Sequence, residues 1–154
     1  MRTSDAPLGG DSRRPLRILR LAHAYDPGRT AAGAGVYASN LGRSLAERGH
    51  EFHILTCMPD GERRDYFERD VHIHVRRGLP FSRSRLGVAQ SRHAEPRKLP
   101  FPWTLIHLYT ALSSWVEYRR LGIRFDVIES GDLFAAGLLF ALRRRSPLVV
   151  RLHT

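Results

Sequence analysis

The spacing of apolar residues along the chain changes repeatedly between the patterns of strands and of helices. Continuous or alternating apolar runs predict strands at residues 16–22, 51–56, 71–76, 125–128 and 148–152. Apolar residues three or four positions apart predict helices at residues 36–48, 102–121 and 133–143. This order predicts an α/β fold, in which a doubly wound, mostly parallel Rossmann-like sheet lies between two helical layers, α/β/α.

The strand predicted at residues 71–76 alternates strictly between apolar and polar positions. This pattern predicts one dry face and one solvated face, which suits an edge position in a parallel sheet. His72 and His74 share the solvated face, where a zinc pair would need a third ligand that the surrounding sequence does not offer. We therefore expect exposed edge histidines, preceded by a polar connection at residues 58–70.

The helix predicted at residues 102–121 carries a broad apolar face, formed by Leu105, Leu108, Leu112, Trp115 and Val116. Charged residues interrupt it too soon for a membrane span, so we expect a crossover helix packed on the sheet. The alternative is a helix that lies on a membrane surface through Trp103 and Trp115. A long loop at residues 77–100, rich in proline, precedes it.

Charge is unevenly distributed along the chain. The net charge is +10, and residues 76–99 carry seven Arg or Lys against one Glu, a net +6. Such a segment suits anionic lipid or a phosphorylated ligand, or it is a solvated loop without a partner. Nucleic acid is not expected, because no aromatic residue separates the basic residues of 83–98.

The composition is that of one globular domain, since 42% of the 154 residues are hydrophobic and 26% are charged. Residues 1–15 are polar and lack the apolar core of a signal peptide, so we expect a disordered leader before a domain at residues 16–154. Cys57 is the only cysteine, which excludes an internal disulfide and fits a reducing compartment.

A glycine-bearing loop joins the first strand to the first helix. Gly33, Ala34 and Gly35 stand just before this helix, where backbone N–H groups form a cradle for anions. With Ala38 they satisfy the dinucleotide fingerprint G-x-G-x-x-G/A. That interpretation is disfavoured, because about ten residues separate the strand from Gly33 and no acid ends the second strand. Close packing of loop and helix would also require these glycines.

Three stretches in register resemble one known family. They are LRLAHAYDPG followed by GAGVYASNLGRSLAERGHEFHILT, FDVIESGD at residues 125–132, and PLVVRLHT at residues 147–154. Together they resemble the amino-terminal, acceptor-side domain of the retaining glycosyltransferases of the two-domain GT-B fold, in glycosyltransferase family four. The resemblance implies that a second, donor-binding domain is needed. Residues 1–154 would then be a truncated half that is inactive alone.

The resemblance also implies roles for particular residues. Gly33, Ala34 and Gly35 would approach the donor diphosphate, and His153 would contact donor or acceptor. Several relatives have a histidine after the FDV strand, whereas this chain has Glu129 and Asp132 there. These carboxylates are expected to face acceptor hydroxyls, as hydrogen-bond acceptors or as a general base. For Asp132, an equally simple role is the N-cap of the next helix.

The implied reaction is transfer of a sugar, with retention, from a nucleotide-sugar to an acceptor hydroxyl on a glycan, a lipid-linked molecule or a small molecule. No cofactor and no metal are expected, because helix dipoles and basic side chains balance the leaving diphosphate in this fold. We expect a cytoplasmic protein, with residues 76–99 and the Trp103 helix against the inner face of an anionic membrane. The alternative is a non-catalytic Rossmann-like domain that binds an anionic ligand or a membrane surface.

Overall fold

The computed structural model describes residues 14–22, 33–58, 62–78, 102–132, 135–143 and 145–152. The described strands are β1 (Arg17–Ala22), β2 (Glu51–Met58), β3 (Arg64–Glu68), β4 (Val71–Arg77), β5 (Val127–Gly131) and β6 (Leu148–Arg151). The described helices are α1 (Gly33–Glu47), α2 (Pro102–Leu121) and α3 (Leu138–Arg143). Most of the predicted leader at 1–15, and of the predicted loop at 77–100, lies outside the described residues.

The strands form one sheet in the order β3-β4-β2-β1-β5-β6. Every neighbouring pair is parallel except β3 with β4. At the centre of the sheet, Leu19 of β1 is paired with His53 of β2 on one side and Ile128 of β5 on the other. The predicted α/β fold with a mostly parallel, doubly wound sheet is therefore confirmed.

β3 is a strand where the sequence predicted only a polar connection, and it moves β4 away from the predicted edge. β3 and β4 are antiparallel, joined at Arg69 and Asp70, whose φ angles of 48° and 66° are those of a tight hairpin turn. The charges of the segment RDYFE concealed this strand, since an edge strand buries little and shows weak apolar alternation.

Two apolar cores lie on opposite faces of the sheet. The core beneath α1 contains Ala38 of the helix and, from β2 and β4, Phe52, Ile54, Val71 and Ile73. The core beneath α2 and α3 consists of Leu19, Leu21, Leu55, Phe125, Ile128, Ala136 and Phe140. Because β1 and β2 contribute to both cores, the sheet is the middle layer of the predicted α/β/α arrangement.

α2 has the predicted bounds, and Trp115 of its predicted inward face packs against the core, but the rest of the buried face differs. Its buried residues are mostly small or polar, namely Thr110, Ala111, Ser113, Ser114 and Glu117. Leu105, Leu108 and Leu112, which were predicted to pack, are exposed. The sheet explains this orientation, because Arg76 of β4 lies beneath the helix with its Nε 3.9 Å from Glu117 Oε2. No helix among the described residues is long and apolar enough to cross a membrane.

α3 begins at Leu138, five residues later than predicted. Turns formed by Ala136 and Gly137 lead into it, and Ala135 adopts a positive φ of 49°. A continuous helix from residue 133 is therefore wrong, since positive φ interrupts the helical backbone. Asp132 consequently lies well ahead of the first residue of α3 and is not the N-cap of that helix.

Candidate active-site edge

The carboxyl ends of the parallel strands meet at one edge of the sheet, which is where open α/β sheets bind ligands. Gly33, Ala34 and Gly35 form the first turn of α1, the helix that follows β1 in the chain. The first backbone N–H groups of a helix have no partner within the helix and attract anions. The sequence predicted these glycines in the loop before the helix, and the structure has them as the first residues of the helix itself.

Glu129 of β5 is buried in an ion pair within the sheet. Its Oε1 accepts a hydrogen bond from Nη1 of Arg20, whose Cα is paired with that of Glu129 across β1 and β5. The two side chains are only 4% and 9% exposed. A buried guanidinium and a buried carboxylate each compensate the charge of the other. Glu129 is therefore a fixed, charge-balanced group whose remaining lone pairs are the ones that could meet a hydroxyl.

Tyr37 of α1 connects this ion pair to the end of β6. The guanidinium carbon of Arg20 lies 4.8 Å from the centroid of the Tyr37 ring, and that of Arg151 lies 3.5 Å from it. Both distances are within the range of cation–π contacts. Arg151 is exposed at the carboxyl end of β6, so its charge is available to an anion at this edge.

Asp132 follows β5 directly and is exposed. Its backbone N–H donates to the backbone oxygen of Arg151 over 3.0 Å, which holds the ends of β5 and β6 together. The structure thus brings together Glu129, Asp132 and the helix that begins at Gly33, through Arg20, Tyr37 and Arg151. His153 lies outside the described residues.

Arg20, Tyr37 and Arg151 were not identified as site residues from the sequence. Arg20 could have been found, because a single charge within the apolar run RILRLA requires a partner of opposite charge. Glu129 stands in a similar position within β5 and is the matching acid. The stacking of Arg151 on Tyr37 left no comparable signal, since it depends on the order of the strands.

A second polar cluster lies near the amino ends of β2 and β4. The ring of His53 has its Nδ1 2.9 Å from His74 Nε2 and its Nε2 2.9 Å from Glu51 Oε1. Burial lowers the pKa of His53 to about 4, against the opposing effect of Glu51, so the neutral ring is favoured. The expectation of exposed edge histidines is wrong for His74, which is buried, because β3 covers the edge beside it.

Comparison with known proteins gives one family and several similar folds. Residues 32–154 match the family model of the glycosyl transferase 4-like domain. A structure described as "Trehalose-6-phosphate from E. coli bound with UDP-2-fluoro glucose" is 15% identical, with a TM-score of 0.52 over 88% of this chain and 32% of that one. The alpha,alpha-trehalose 6-phosphate synthase from Burkholderia multivorans is also 15% identical, with a TM-score of 0.52 over 90% of this chain and 34% of that one.

No curated protein sequence matches the chain. The two structures share its fold, and the chain spans about a third of the length of each. The family match covers well over half of the chain and includes α1 and β2 to β6. The predicted family resemblance is therefore confirmed, and the chain belongs to the glycosyl transferase 4-like domain family.

Proposed function

We propose that this chain is the acceptor-side, amino-terminal half of a retaining GT-B glycosyltransferase. The complete enzyme would transfer a sugar from a nucleotide-sugar to a hydroxyl of a glycan, a lipid-linked acceptor or a small molecule. One observation carries the proposal, in a chain that belongs to this family. At the carboxyl edge of the sheet, α1 begins with Gly33, Ala34 and Gly35 and carries Tyr37 in the following turn. The ring of Tyr37 is stacked between Arg20 and Arg151.

The donor diphosphate is assigned to the start of α1. Backbone N–H groups of Gly33, Ala34 and Gly35 would donate to its oxygens, and glycine at two of the three positions allows close approach. Arg151 adds a full positive charge at this edge, and His153 follows two residues later. These groups would stabilise the leaving diphosphate without a metal ion, because charge-assisted hydrogen bonds are strong where water is excluded.

The acceptor is assigned to two carboxylates, that of Glu129 within β5 and that of Asp132 directly after this strand. Asp132 is exposed, so it can accept a hydrogen bond from an acceptor hydroxyl directly. Glu129 is held by Arg20 and would orient a second hydroxyl through a lone pair that the ion pair leaves unused. Neither group would form a bond to the sugar in this assignment.

The donor is proposed to be a nucleoside diphosphate sugar. The E. coli structure of similar fold is described as bound with UDP-2-fluoro glucose, which supports this class of donor. Because the chain spans about a third of that structure, a second domain is expected to hold most of the donor. Residues 1–154 alone should therefore give no sugar transfer from any nucleotide-sugar.

The assignment of Arg151 is tested in the complete protein encoded by the reading frame, with a panel of nucleotide-sugars. Arg151→Ala should lower kcat/KM for the accepted donor by about tenfold to a hundredfold, because a charge-assisted contact to the diphosphate is lost. Arg145→Ala, which removes an exposed arginine before β6, is the matched control and should leave kcat/KM unchanged. Equal effects of the two substitutions would contradict the assignment, and absence of any transfer by the complete protein would contradict the function.

The membrane partner is proposed to be an anionic bilayer at the cytoplasmic face. The support is the outer face of α2, where Leu105, Leu108 and Leu112 are 41%, 51% and 46% exposed and recur at helical spacing. The net charge of +10 favours anionic lipid head groups over neutral ones. Arg119 and Arg120 extend the basic surface at the end of the same helix.

Flotation with vesicles of phosphatidylglycerol or phosphatidylcholine tests this partner. The protein should float with the anionic vesicles only, and Leu108→Gln with Leu112→Gln should reduce the bound fraction several-fold. Val36→Gln on α1, a side chain of similar exposure on the other helical layer, serves as the control and should not reduce it. Unchanged vesicle binding by the variant with both α2 substitutions would show that α2 is not the membrane-binding surface. Vesicle binding by a complete protein without transferase activity would favour the binding-domain alternative.

A further inference from the structure

Three side chains with metal-ligating atoms converge near the amino ends of β2 and β4. Glu51 and His53 are two residues apart on β2 and share one face of the sheet. His72 of β4 is the Cα partner of His53 across the strand pair, so it stands beside it on the same face. Glu51 Oε1 lies 2.9 Å from His53 Nε2 and 3.9 Å from His72 Nε2. The three ligand atoms all lie within 4.8 Å of one another.

The separations of 2.9 and 3.9 Å between the carboxylate oxygen and the two imidazole nitrogens lie on either side of the value that a zinc ion imposes. With Zn–N and Zn–O distances near 2.0–2.1 Å, neighbouring ligand atoms of a tetrahedral site are roughly 3.3–3.4 Å apart. The rings of His53 and His72 are stacked, with centroids 4.3 Å apart and planes within 7°. A common ion therefore requires His72 to turn about its Cβ–Cγ bond. His72 can do so, because its side chain is 38% exposed.

The other ligands are already oriented by further hydrogen bonds. His53 Nδ1 is bonded to His74, and His74 Nδ1 is bonded to Asp65 of β3, which directs His53 Nε2 towards Glu51. Arg17 donates to Oε2 of Glu51 over 2.6 Å and leaves Oε1 for a metal ion. Histidine ligands of metals usually have such a partner on their second nitrogen, and it fixes the tautomer that binds.

The cluster is also accessible from solvent. Glu51 lines an open groove of about 580 Å³ at the amino edge of the sheet, together with Arg14, Pro15, Leu16, Arg17, Arg124 and Asp126. An ion can enter from this groove, and a water molecule can occupy the fourth coordination position. The groove lies at the edge opposite the carboxyl ends of the strands, so this cluster is separate from the groups assigned to sugar transfer.

We propose that Glu51 Oε1, His53 Nε2 and His72 Nε2 bind one divalent transition-metal ion, of which zinc fits the ligand set best. Two imidazoles and one carboxylate are a ligand set used for zinc, whereas calcium and magnesium prefer oxygen ligands alone. Bound there, the ion joins β2 to β4 at their amino ends. It stabilises the fold and takes no part in sugar transfer.

The test uses tag-free protein, freed of metal with a chelator and titrated with zinc chloride and with cobalt chloride. One zinc ion per chain should bind in calorimetry, and the melting temperature should rise with zinc concentration. Cobalt should give the visible absorption bands of a four-coordinate ion and saturate at one equivalent. His72→Ala should weaken zinc binding at least a hundredfold and abolish the cobalt bands.

Two further variants distinguish zinc binding at this site from nonspecific zinc binding by other histidines. His107→Ala removes a histidine of α2 and should change neither the affinity nor the cobalt spectrum. Asp65→Asn weakens the hydrogen-bond chain behind His53, together with the ion pair between Asp65 and Arg76, and should weaken zinc binding by about tenfold to a hundredfold. Binding of much less than one zinc per chain overturns the proposal. Equal zinc affinity of His72→Ala and the unaltered protein, with circular dichroism showing both folded, also overturns it.

Discussion

At the scale of single residues, Arg20 and Glu129 form a buried ion pair in the interior of the sheet. Each residue is the partner of the other across β1 and β5, and each is almost completely buried. A buried charge without its partner is very costly, whereas replacing both charges by apolar residues is often neutral. Each charge is therefore needed only because the other is present.

Glu129→Ala should lower the free energy of unfolding by about 3–5 kcal/mol, because it leaves the Arg20 guanidinium buried and uncompensated. The double variant with Arg20→Met and Glu129→Leu should recover most of this loss. Urea unfolding at neutral pH, followed by circular dichroism, measures both variants. A double variant no more stable than Glu129→Ala would show that the pair is not a coupled unit.

Cys57 offers a pH-dependent prediction at the same scale. Burial, with the negative charge of Glu117 as a second cause, raises the pKa of this thiol from 9.0 to about 12. Because only the thiolate is nucleophilic, alkylation by iodoacetamide at pH 8 should be at least about a hundredfold slower than in the urea-unfolded chain. The folded rate should keep rising with pH through pH 10, where the unfolded rate levels off. Similar alkylation rates in the folded and unfolded chains would show that the Cys57 thiol is exposed to solvent in the folded state.

At the scale of elements, the sequence predicted positions better than it predicted contacts. The bounds of α2 are as predicted, and α1 ends at Glu47, one residue before its predicted end, because helix breakers such as Gly49, whose φ is +81°, are local signals. The buried face of α2 was predicted correctly at Trp115 and wrongly at Leu105, Leu108 and Leu112. Periodic leucines indicate an inward face only if the surface beneath is apolar, and here that surface includes Arg76. β3 was missed for a related reason, because it is a strand through its pairing with β4, which the pattern of its own residues does not reveal.

Gly42 shows how closely α1 approaches the sheet. A Cβ atom placed there would lie 2.5 Å from Cγ2 of Val71 and 2.8 Å from Cδ1 of Phe52. Gly42→Ala should therefore destabilise the fold by about 1–3 kcal/mol, although the same change at an exposed helical position stabilises it. Asn40→Ala, at an exposed position of α1, is the matched control and should slightly raise stability. Thermal unfolding compares the two variants, and a gain for Gly42→Ala would contradict the close packing.

At the scale of the whole molecule, local patterns were sufficient to predict the class of the fold and its layers. They did not give the strand order, which pairs Arg20 with Glu129 and His53 with His72. Both polar clusters depend on this order, since their members come from strands distant in the chain. The predicted residues Gly33, Gly35, Glu129 and Asp132 were accessible to sequence reasoning because they follow the strands predicted at residues 16–22 and 125–128, although Glu129 lies within β5 in the structure. The histidine cluster was not, because Glu51 and His53, the two proposed ligands that join His72, are supplied by a neighbouring strand.

The two outer strands of the described sheet differ in how well their side chains prevent pairing with a strand of another chain. β3 carries the charged residues Arg64, Asp65 and Glu68, which oppose pairing with another chain. β6 ends in one arginine, and its Val149 and Val150 are 51% and 52% exposed on opposite faces. Among the described strands it has a neighbour on one side only. Such an apolar strand invites addition of a further strand.

Residues 1–154 should therefore self-associate through β6 as their concentration rises, and Val150→Lys should reduce this association several-fold. The reason is that a lysine on an edge strand places an unpaired charge in any strand added to it. Phe67→Lys, a change of an exposed apolar residue on β3, is the matched control and should have a much smaller effect. Light scattering across a concentration series measures the apparent mass of each variant. If Phe67→Lys prevents association and Val150→Lys does not, β3 is the strand through which the molecule associates.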